Sequence, residues 1–232
     1  MYINETNREA IKAKVINSPH CCVFYWAIQF VIDTVKSLPP GSTILEMGTF
    51  VGGTTRLFAK ANPDIIIHTI DIDNFDNNEV NTDFGDFITN PMVTAMQQAY
   101  ELPGATVEDV YEIRKMHIED CPNIISHSGN STDLQLENLD LVFVDASHTY
   151  EDVLNDLRYA WNRVKEGGYI FGDDVQYAPL YNALCQFCRE VDTSYTIYSK
   201  CFKIQKHSRG NSEIRMQSEP TCFTDFVNIP IK

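Results

Sequence analysis

Apolar residues along the chain change their spacing at about residue 43, and this change divides the sequence into two regions. Before it, segments 4–16 and 19–38 carry apolar residues at helical spacing, and Pro39-Pro40-Gly41 ends the second segment. After it, short apolar runs alternate with helical patterns. Two helices are therefore expected first, followed by a parallel β-sheet covered by helices.

Short apolar runs predict seven strands, and helical patterns occupy much of the chain between them. The runs lie at 43–46, 64–71, 123–128, 140–145, 169–171, 195–199 and 202–205. The helical patterns lie at about 54–61, 92–102, 106–119, 151–166 and 179–191. Too few residues separate the last two strands for a crossover helix, so these strands are expected to form an antiparallel hairpin. The predicted fold class is α/β, with a seven-stranded, mostly parallel sheet, helices on both faces and a C-terminal antiparallel hairpin.

The chain is expected to form one structural domain with three parts: N-terminal helices at 1–42, a body at 43–207 and a tail at 208–232. The body contains a long insertion at 72–121, whose polar, acidic beginning predicts a solvated lid or a cover over a substrate. A calcium loop is disfavoured because Asp76 stands where such a loop requires Gly. The last part of the tail is apolar and is expected to pack back or to form a homo-oligomer contact. These apolar residues are Phe223, Phe226, Val227 and Ile229.

Composition and net charge disfavour two classes of binding partner and indicate the cellular compartment. The 232 residues include 18 basic and 32 acidic side chains, and the net charge of -14 disfavours nucleic acid and anionic membranes. The sequence has no membrane-length apolar run and no signal-peptide core, which favours a cytoplasmic protein. Its seven cysteines are then expected to be reduced, and Cys185-x-x-Cys188 lacks the second pair of ligands that a zinc site needs.

A glycine-rich turn at 44–55 is the first candidate binding site. It reads Glu46-x-Gly48-x-x-x-Gly52 and links a strand to a helix start. Glycine adopts positive φ without strain and lets a ligand approach the backbone closely. A dinucleotide fingerprint would require Gly at 50, where Phe50 stands. The turn therefore predicts a ligand loop of another kind, or an ordinary tight turn.

Three carboxylates at two strand ends form the second candidate site. Asp145 ends one predicted strand, and Asp173 and Asp174 follow the next. Neighbouring strands lie ~4.8 Å apart, so these groups would repel one another unless a cation joined them. A hard divalent ion such as Mg²⁺ suits such oxygen ligands. Without a metal, Asp173 would orient the substrate and Asp174 would cap the following turn.

His148, three residues after Asp145, has two readings. A histidine titrates near neutral pH, so this one is a candidate general base. It could equally brace the loop that follows the strand.

Together these motifs resemble the class I S-adenosylmethionine-dependent methyltransferases. The similarity rests on the glycine loop, on Val-Asp-Ala-Ser-His-Thr-Tyr at 144–150 and on Gly-Gly-Tyr-Ile-Phe-Gly-Asp-Asp at 167–174. It points to the small-molecule O-methyltransferases that include the macrocin-type sugar enzymes, and it covers about 44–205 apart from the insertion. The resemblance implies a Rossmann-like fold, S-adenosylmethionine as cofactor, Mg²⁺ and a small hydroxylated acceptor.

The resemblance also assigns roles to individual residues. Glu46 would meet the amino group of the methionine moiety, and Asp71, or Asp73 in its place, would bind the ribose. The implied cofactor contacts are Glu46, Gly48, Thr49, Phe50, Gly52, Thr54, Asp71, Asn130, Ser131 and Asp145. The implied metal ligands are Asp145, Asp173 and Asp174, and the catalytic candidates are His148 and Asp145.

The reaction expected of such an enzyme is displacement at the sulfonium methyl by a substrate oxygen. Two other functions stay open at this point. One is a non-catalytic S-adenosylmethionine-binding or scaffold protein, which would not need Asp145, His148 or Asp173. The other is an NAD-dependent oxidoreductase, which Phe50 disfavours.

Overall fold

The regular elements of the protein alternate as the apolar pattern predicts. The computed structural model describes residues 2–17, 25–73, 79–81, 87–89 and 91–207. The strands are β1 (Thr43–Met47), β2 (Ile66–Asp71), β3 (Glu79–Asn81), β4 (Phe87–Thr89), β5 (Ile124–Ser128), β6 (Leu139–Val144), β7 (Val164–Gly172), β8 (Tyr195–Tyr198) and β9 (Cys201–Gln205). The helices are α1 (Arg8–Asn17), α2 (Tyr25–Ser37), α3 (Gly53–Ala61), α4 (Pro91–Tyr100), α5 (Val107–Ile118), α6 (Tyr150–Arg163) and α7 (Ala178–Val191), with a 3-10 turn at Ser131–Asp133.

Seven strands form one sheet in the order β5-β2-β1-β6-β7-β9-β8. The pairs among β5, β2, β1, β6 and β7 are parallel, whereas β9 runs antiparallel to both β7 and β8. The predicted fold class, including the closing hairpin, is confirmed.

Helices cover both faces of the sheet, as the strands' apolar content requires. Leu45 and Met47 of β1 belong to a core cluster that includes residues of α6 and α7. Ile44, on the opposite face of the same strand, belongs to a cluster with residues of α2 and α3. Every residue of β6 is buried, so the centre of the sheet is closed to solvent on both sides.

The helix predicted at 151–166 ends three residues early. α6 stops at Arg163, and β7 begins at Val164, which pairs with Leu139 before the register shifts to the pair Leu141 and Tyr169. The apolar Val164 fits both the helix pattern and a strand. Pairing with β6 decides the outcome, and the residues between the two registers form an irregularity in the strand.

The insertion contributes core rather than only a solvated cover, in contrast to our expectation. Val110, Ile113 and Met116 of α5 are fully buried in a cluster that also contains Ile11 and Val15 of α1. The short hairpin of β3 and β4 lies in the polar beginning of the insertion, and 74–78, 82–86 and 90 lie outside the described residues. The tail at 208–232, with its predicted oligomer contact, also lies outside them. Among the described residues, no helix combines the length and apolarity needed to cross a membrane.

Candidate active site

The candidate residues gather where the parallel strands end. The amide of Gly48 donates to the carbonyl of Ile70 at 2.9 Å, and the amide of Asp145 donates to that of Met47 at 2.9 Å. The amide of Asp173 continues this ladder to Val144 at 3.3 Å. The glycine loop and the acids therefore share one edge of the sheet, where ligands of open α/β sheets bind.

The glycine loop lies directly against the carboxylate region. Gly48 has φ +95°, and a Cβ built on it would lie 2.0 Å from the carbonyl oxygen of Asp145. Gly52 has φ +76° and precedes the first turn of α3, in which Thr54 is buried. Phe50 also has positive φ, at 43°, which strains a bulky residue. The loop is therefore held in a conformation that its surroundings must stabilise.

Arg114 of α5 provides much of that support, although no sequence motif marks it. Its Nε donates to the carbonyl of Phe50, and one terminal nitrogen lies 2.6 Å from Asp73 Oδ1. The other terminal nitrogen lies 3.4 Å from Asp71 Oδ2, which also accepts from the Phe50 amide at 2.7 Å. Asp71, the predicted ribose ligand, is thus fixed between the loop and α5. Its role toward a cofactor stays a prediction.

Glu46 lies beneath the loop in the interior. The side chain is 1% exposed, and its Oε2 accepts hydrogen bonds from the hydroxyl of Thr55 and, at 2.6 Å, from that of Thr69. Thr69 also bonds the hydroxyl of Thr49 at 2.7 Å. Burial raises the pKa of Glu46 to about 7. The carboxylate therefore braces β1 against β2 and α3, and its contact with a methionine amino group stays a prediction.

Asp145, Asp173 and Asp174 form a compact carboxylate cluster. One oxygen from each side chain lies within 4.8 Å of the others. Among the described residues, no other group of three His, Cys, Asp or Glu side chains is close enough to share an ion. Burial, and then the charges of Asp173 and Asp174, raise the pKa of Asp145 well above its ordinary value. The cluster accordingly favours any cation that reaches it.

Lys200, in the turn between β8 and β9, supplies one such cation. Its ammonium lies 2.8 Å from Asp173 Oδ2 and 3.1 Å from Asp174 Oδ1. Burial alone would lower the pKa of Lys200, but the two carboxylates raise it above its ordinary value. The sequence prediction missed this residue. A usable signal existed, because the predicted hairpin places its turn beside the end of the fifth predicted strand.

His148 is joined to the cluster by its ring. Its Nε2 lies 2.9 Å from Asp174 Oδ2, and the side chain is 53% exposed. Burial would raise the pKa of Asp174, but the hydrogen bond with His148 and the charge of Lys200 hold it below the ordinary value. The ring also meets that of Tyr177 edge-on, with centroids 5.9 Å apart. The imidazole is therefore oriented by a carboxylate while it faces solvent.

The turn predicted to reach adenine is held by local contacts. Asn130 Oδ1 accepts from the amide of Thr132 at 3.0 Å and from its hydroxyl at 2.7 Å. Ser131 donates its hydroxyl to Asp156 Oδ1 of α6 at 2.8 Å. These bonds fix the turn beside the end of β5, and contact with a cofactor stays a prediction.

Replacement of the buried Asp156 is expected to stabilise the folded protein at high pH. Burial raises its pKa to about 6, so the folded state resists its ionisation. The stability linked to this group is complete below pH ~4 and falls as pH rises through ~6. The free energy of unfolding of Asp156→Asn should therefore equal that of the wild type at pH 4. At pH 8 it should be ~1–3 kcal/mol larger.

A neighbouring acid on the same helix is the control for this prediction. Hydrogen bonds from Thr149 and Ser147 lower the pKa of Asp152, so its charge stabilises the folded state above the pKa of the unfolded chain. Asp152→Asn should lose stability at pH 8. Urea unfolding of both variants at the two pH values measures this contrast, and a loss in both would contradict the burial argument.

Comparison with known proteins gives one family and one fold. The sequence profile of a family described as "Methyltransferase domain" matches residues 45–175, more than half of the chain. No curated protein sequence matches the chain significantly. The match includes the glycine loop, the carboxylate cluster and most of the elements that hold them.

Solved structures share the architecture at low sequence identity. Cofactor-bound Rv0187 from MTB is 15% identical, with a TM-score of 0.53, and the alignment covers 88% of this chain and 90% of that one. The tRNA (m1A58) methyltransferase TrmI from Aquifex aeolicus is 10% identical, with a TM-score of 0.53 and coverage of 84% and 75%. At these identities the likeness shows the fold, while the profile match shows the family. The chain therefore belongs to the family described as "Methyltransferase domain".

Proposed function

We propose that the protein transfers the methyl group of S-adenosylmethionine to a hydroxyl oxygen of a small acceptor, with a divalent ion at the carboxylate cluster. The observation that carries this proposal is the contact between the glycine loop and Asp145. A Cβ on Gly48 would lie 2.0 Å from the Asp145 carbonyl oxygen, so the proposed donor loop packs directly on the backbone of a residue whose side chain belongs to the carboxylate cluster. Methyl transfer needs donor and acceptor side by side, and such positioning supplies a large part of rate enhancement.

The cluster fits Mg²⁺ in the type and grouping of its donors. Asp145, Asp173 and Asp174 offer hard oxygen ligands, one from each within 4.8 Å of the others. The raised pKa of Asp145 supports a need for further positive charge beside it. When bound, such an ion would lower the pKa of the acceptor hydroxyl and direct its oxygen.

His148 is the proposed acceptor of the hydroxyl proton. Asp174 engages Nε2 at 2.9 Å, which leaves Nδ1 to take the proton from the substrate. The carboxylate then stabilises the imidazolium that forms. In this arrangement His148 acts as the base, and the same bond to Asp174 accounts for the loop-bracing interpretation.

A small acceptor fits the charge of the chain better than a nucleic acid. The net charge of -14 would repel a phosphate backbone, and the predicted acceptor side carries three clustered carboxylates. A neutral molecule with hydroxyl groups meets no such repulsion.

Ligand-dependent thermal unfolding tests the cofactor. S-adenosylhomocysteine at a hundred times its dissociation constant should stabilise the fold by ~2.7 kcal/mol, a midpoint rise of roughly 5 to 11 °C for a chain of this size. NAD at the same concentration should give no shift. A shift with NAD and none with S-adenosylhomocysteine would overturn the proposal.

Methyl transfer itself is tested by release of S-adenosylhomocysteine in a panel of acceptors. The panel should contain catechols, sugars and amines, each with Mg²⁺ and with a chelator. Chelator-sensitive turnover confined to hydroxylated acceptors is the expected result. Turnover confined to amines would contradict the oxygen acceptor while leaving the family assignment intact.

A further inference from the structure

We propose that Lys200 is a resident cation of the carboxylate cluster and that it limits how tightly the cluster binds a divalent ion. This inference rests on the proposed metal site but concerns a residue outside the set assigned to it. Lys200 contacts two of the three carboxylates directly, at 2.8 Å to Asp173 and 3.1 Å to Asp174. A divalent ion bound by those side chains would share them with the ammonium.

The backbone fixes Lys200 in this position. Its carbonyl accepts from the amide of Val175 at 2.9 Å, directly after the acid pair. Phe202, two residues later, pairs with Gly172 at the end of β7. The side chain of Lys200 is 15% exposed, so its ammonium is held at the cluster rather than free in solvent.

The hydrogen bonds to Asp173 and Asp174 also support a limit on metal affinity. Asp173 Oδ1 accepts from the thiol of Cys201 at 3.2 Å, while its other oxygen faces Lys200. Asp174 Oδ1 accepts from Gln176 at 2.8 Å as well as from Lys200. A group that already stabilises both carboxylates reduces the free energy that a second cation gains from them.

The formal charge of the cluster determines whether loss of the Lys200 ammonium raises or lowers metal affinity. The three carboxylates and Lys200 leave a net charge of minus two, which one divalent ion neutralises. Without the ammonium the cluster is more negative, and the repulsion between Lys200 and the ion disappears. Metal affinity should therefore rise when Lys200 loses its charge.

The test is a titration of the full chain with Mn²⁺ in the absence of any methyl acceptor. Electron paramagnetic resonance measures how much Mn²⁺ is bound. Lys200→Met keeps the apolar stem and should lower the dissociation constant for Mn²⁺ at least ~10-fold. Lys200→Arg keeps the charge and should bind within a few-fold of the wild type. Lys203→Met, on the strand β9 that follows Lys200, is the matched control, because that ammonium lies 4.5 Å from the Tyr169 ring centroid and not at the cluster. Its Mn²⁺ affinity should not change.

Two further measurements distinguish a failure of the Lys200 proposal from a failure of the proposed function. Asp145→Asn combined with Lys200→Met should remove the added Mn²⁺ affinity, which locates the ion at the cluster. S-adenosylhomocysteine binding should be equal in the wild type and in the single Lys200 and Lys203 variants, which shows that each is folded and tests the proposed function independently. Unchanged or weaker Mn²⁺ binding in folded Lys200→Met, or no binding in any variant, would overturn the role of Lys200.

Discussion

Asp145→Asn is expected to reduce kcat for methyl transfer by ~10²–10³-fold, the scale on which removal of a charge-stabilising catalytic group acts. Asparagine has nearly the same shape but cannot supply the charge that a metal ion and an acceptor proton require. The amide of Asp145 would still bond Met47, and its carbonyl would still face Gly48. The glycine loop should therefore keep its conformation.

The same substitution should make the folded protein more stable at neutral pH. Burial and the neighbouring acids raise the pKa of Asp145, so stability linked to this group is present below the pKa of the unfolded chain and is lost as pH rises. Asparagine removes that loss. Reduced turnover together with a raised unfolding midpoint distinguishes a catalytic charge from a residue that merely supports the fold.

Asp140→Asn is the matched control, because Asp140 lies near the start of β6, whereas Asp145 directly follows the end of that strand. Its carboxylate accepts from the amide of Thr43 at 2.8 Å and pairs with Lys165. Loss of its charge should reduce stability and leave kcat nearly unchanged. If Asp145→Asn keeps its turnover within a few-fold, the cluster takes no part in the reaction. Absence of turnover in the wild type with intact cofactor binding would instead favour the non-catalytic reading.

The gathering of Asp145 with Asp173 and Asp174 was predictable because it depends on strand adjacency alone. A strand end is visible in the sequence, and parallel neighbours place their ends at one edge. The position of Lys200 follows from the same reasoning once the last hairpin is placed beside β7, although its sequence surroundings carry no motif. These contacts depend on sheet topology, which alternating apolar runs encode directly.

Arg114 shows what the sequence does not encode locally. Its contacts with Phe50, Asp71 and Asp73 depend on the rotation and depth at which α5 packs, and the buried side chains of that helix determine both. The polar start of the insertion suggested a solvated cover, so its second half was not assigned to the core. Helix packing of this kind depends on side chains distant in sequence, and apolar periodicity gives only the face that is buried.

Gly48→Ala should be the most damaging single substitution in the glycine loop, at more than ~4 kcal/mol of stability. The added Cβ would lie 2.0 Å from the carbonyl oxygen and 2.6 Å from the carbonyl carbon of Asp145, both backbone atoms that cannot rotate away. The positive φ of +95° adds a further cost to any side chain. Relief would require β1 and β6 to separate at the edge where donor and acceptor are proposed to meet.

Gly41→Ala separates the cost of a positive φ from the cost of the steric contact with Asp145. Gly41 also has positive φ, at +80°, but nothing lies within 4 Å of its added Cβ. The conformational term alone predicts a loss of ~1–2 kcal/mol there. Urea unfolding of both variants measures the difference, and equal losses would show that the contact between Gly48 and Asp145 contributes nothing beyond φ. A much larger loss at Gly48 would mean that glycine is required there because the loop packs directly on the backbone of Asp145, with no space for a side chain.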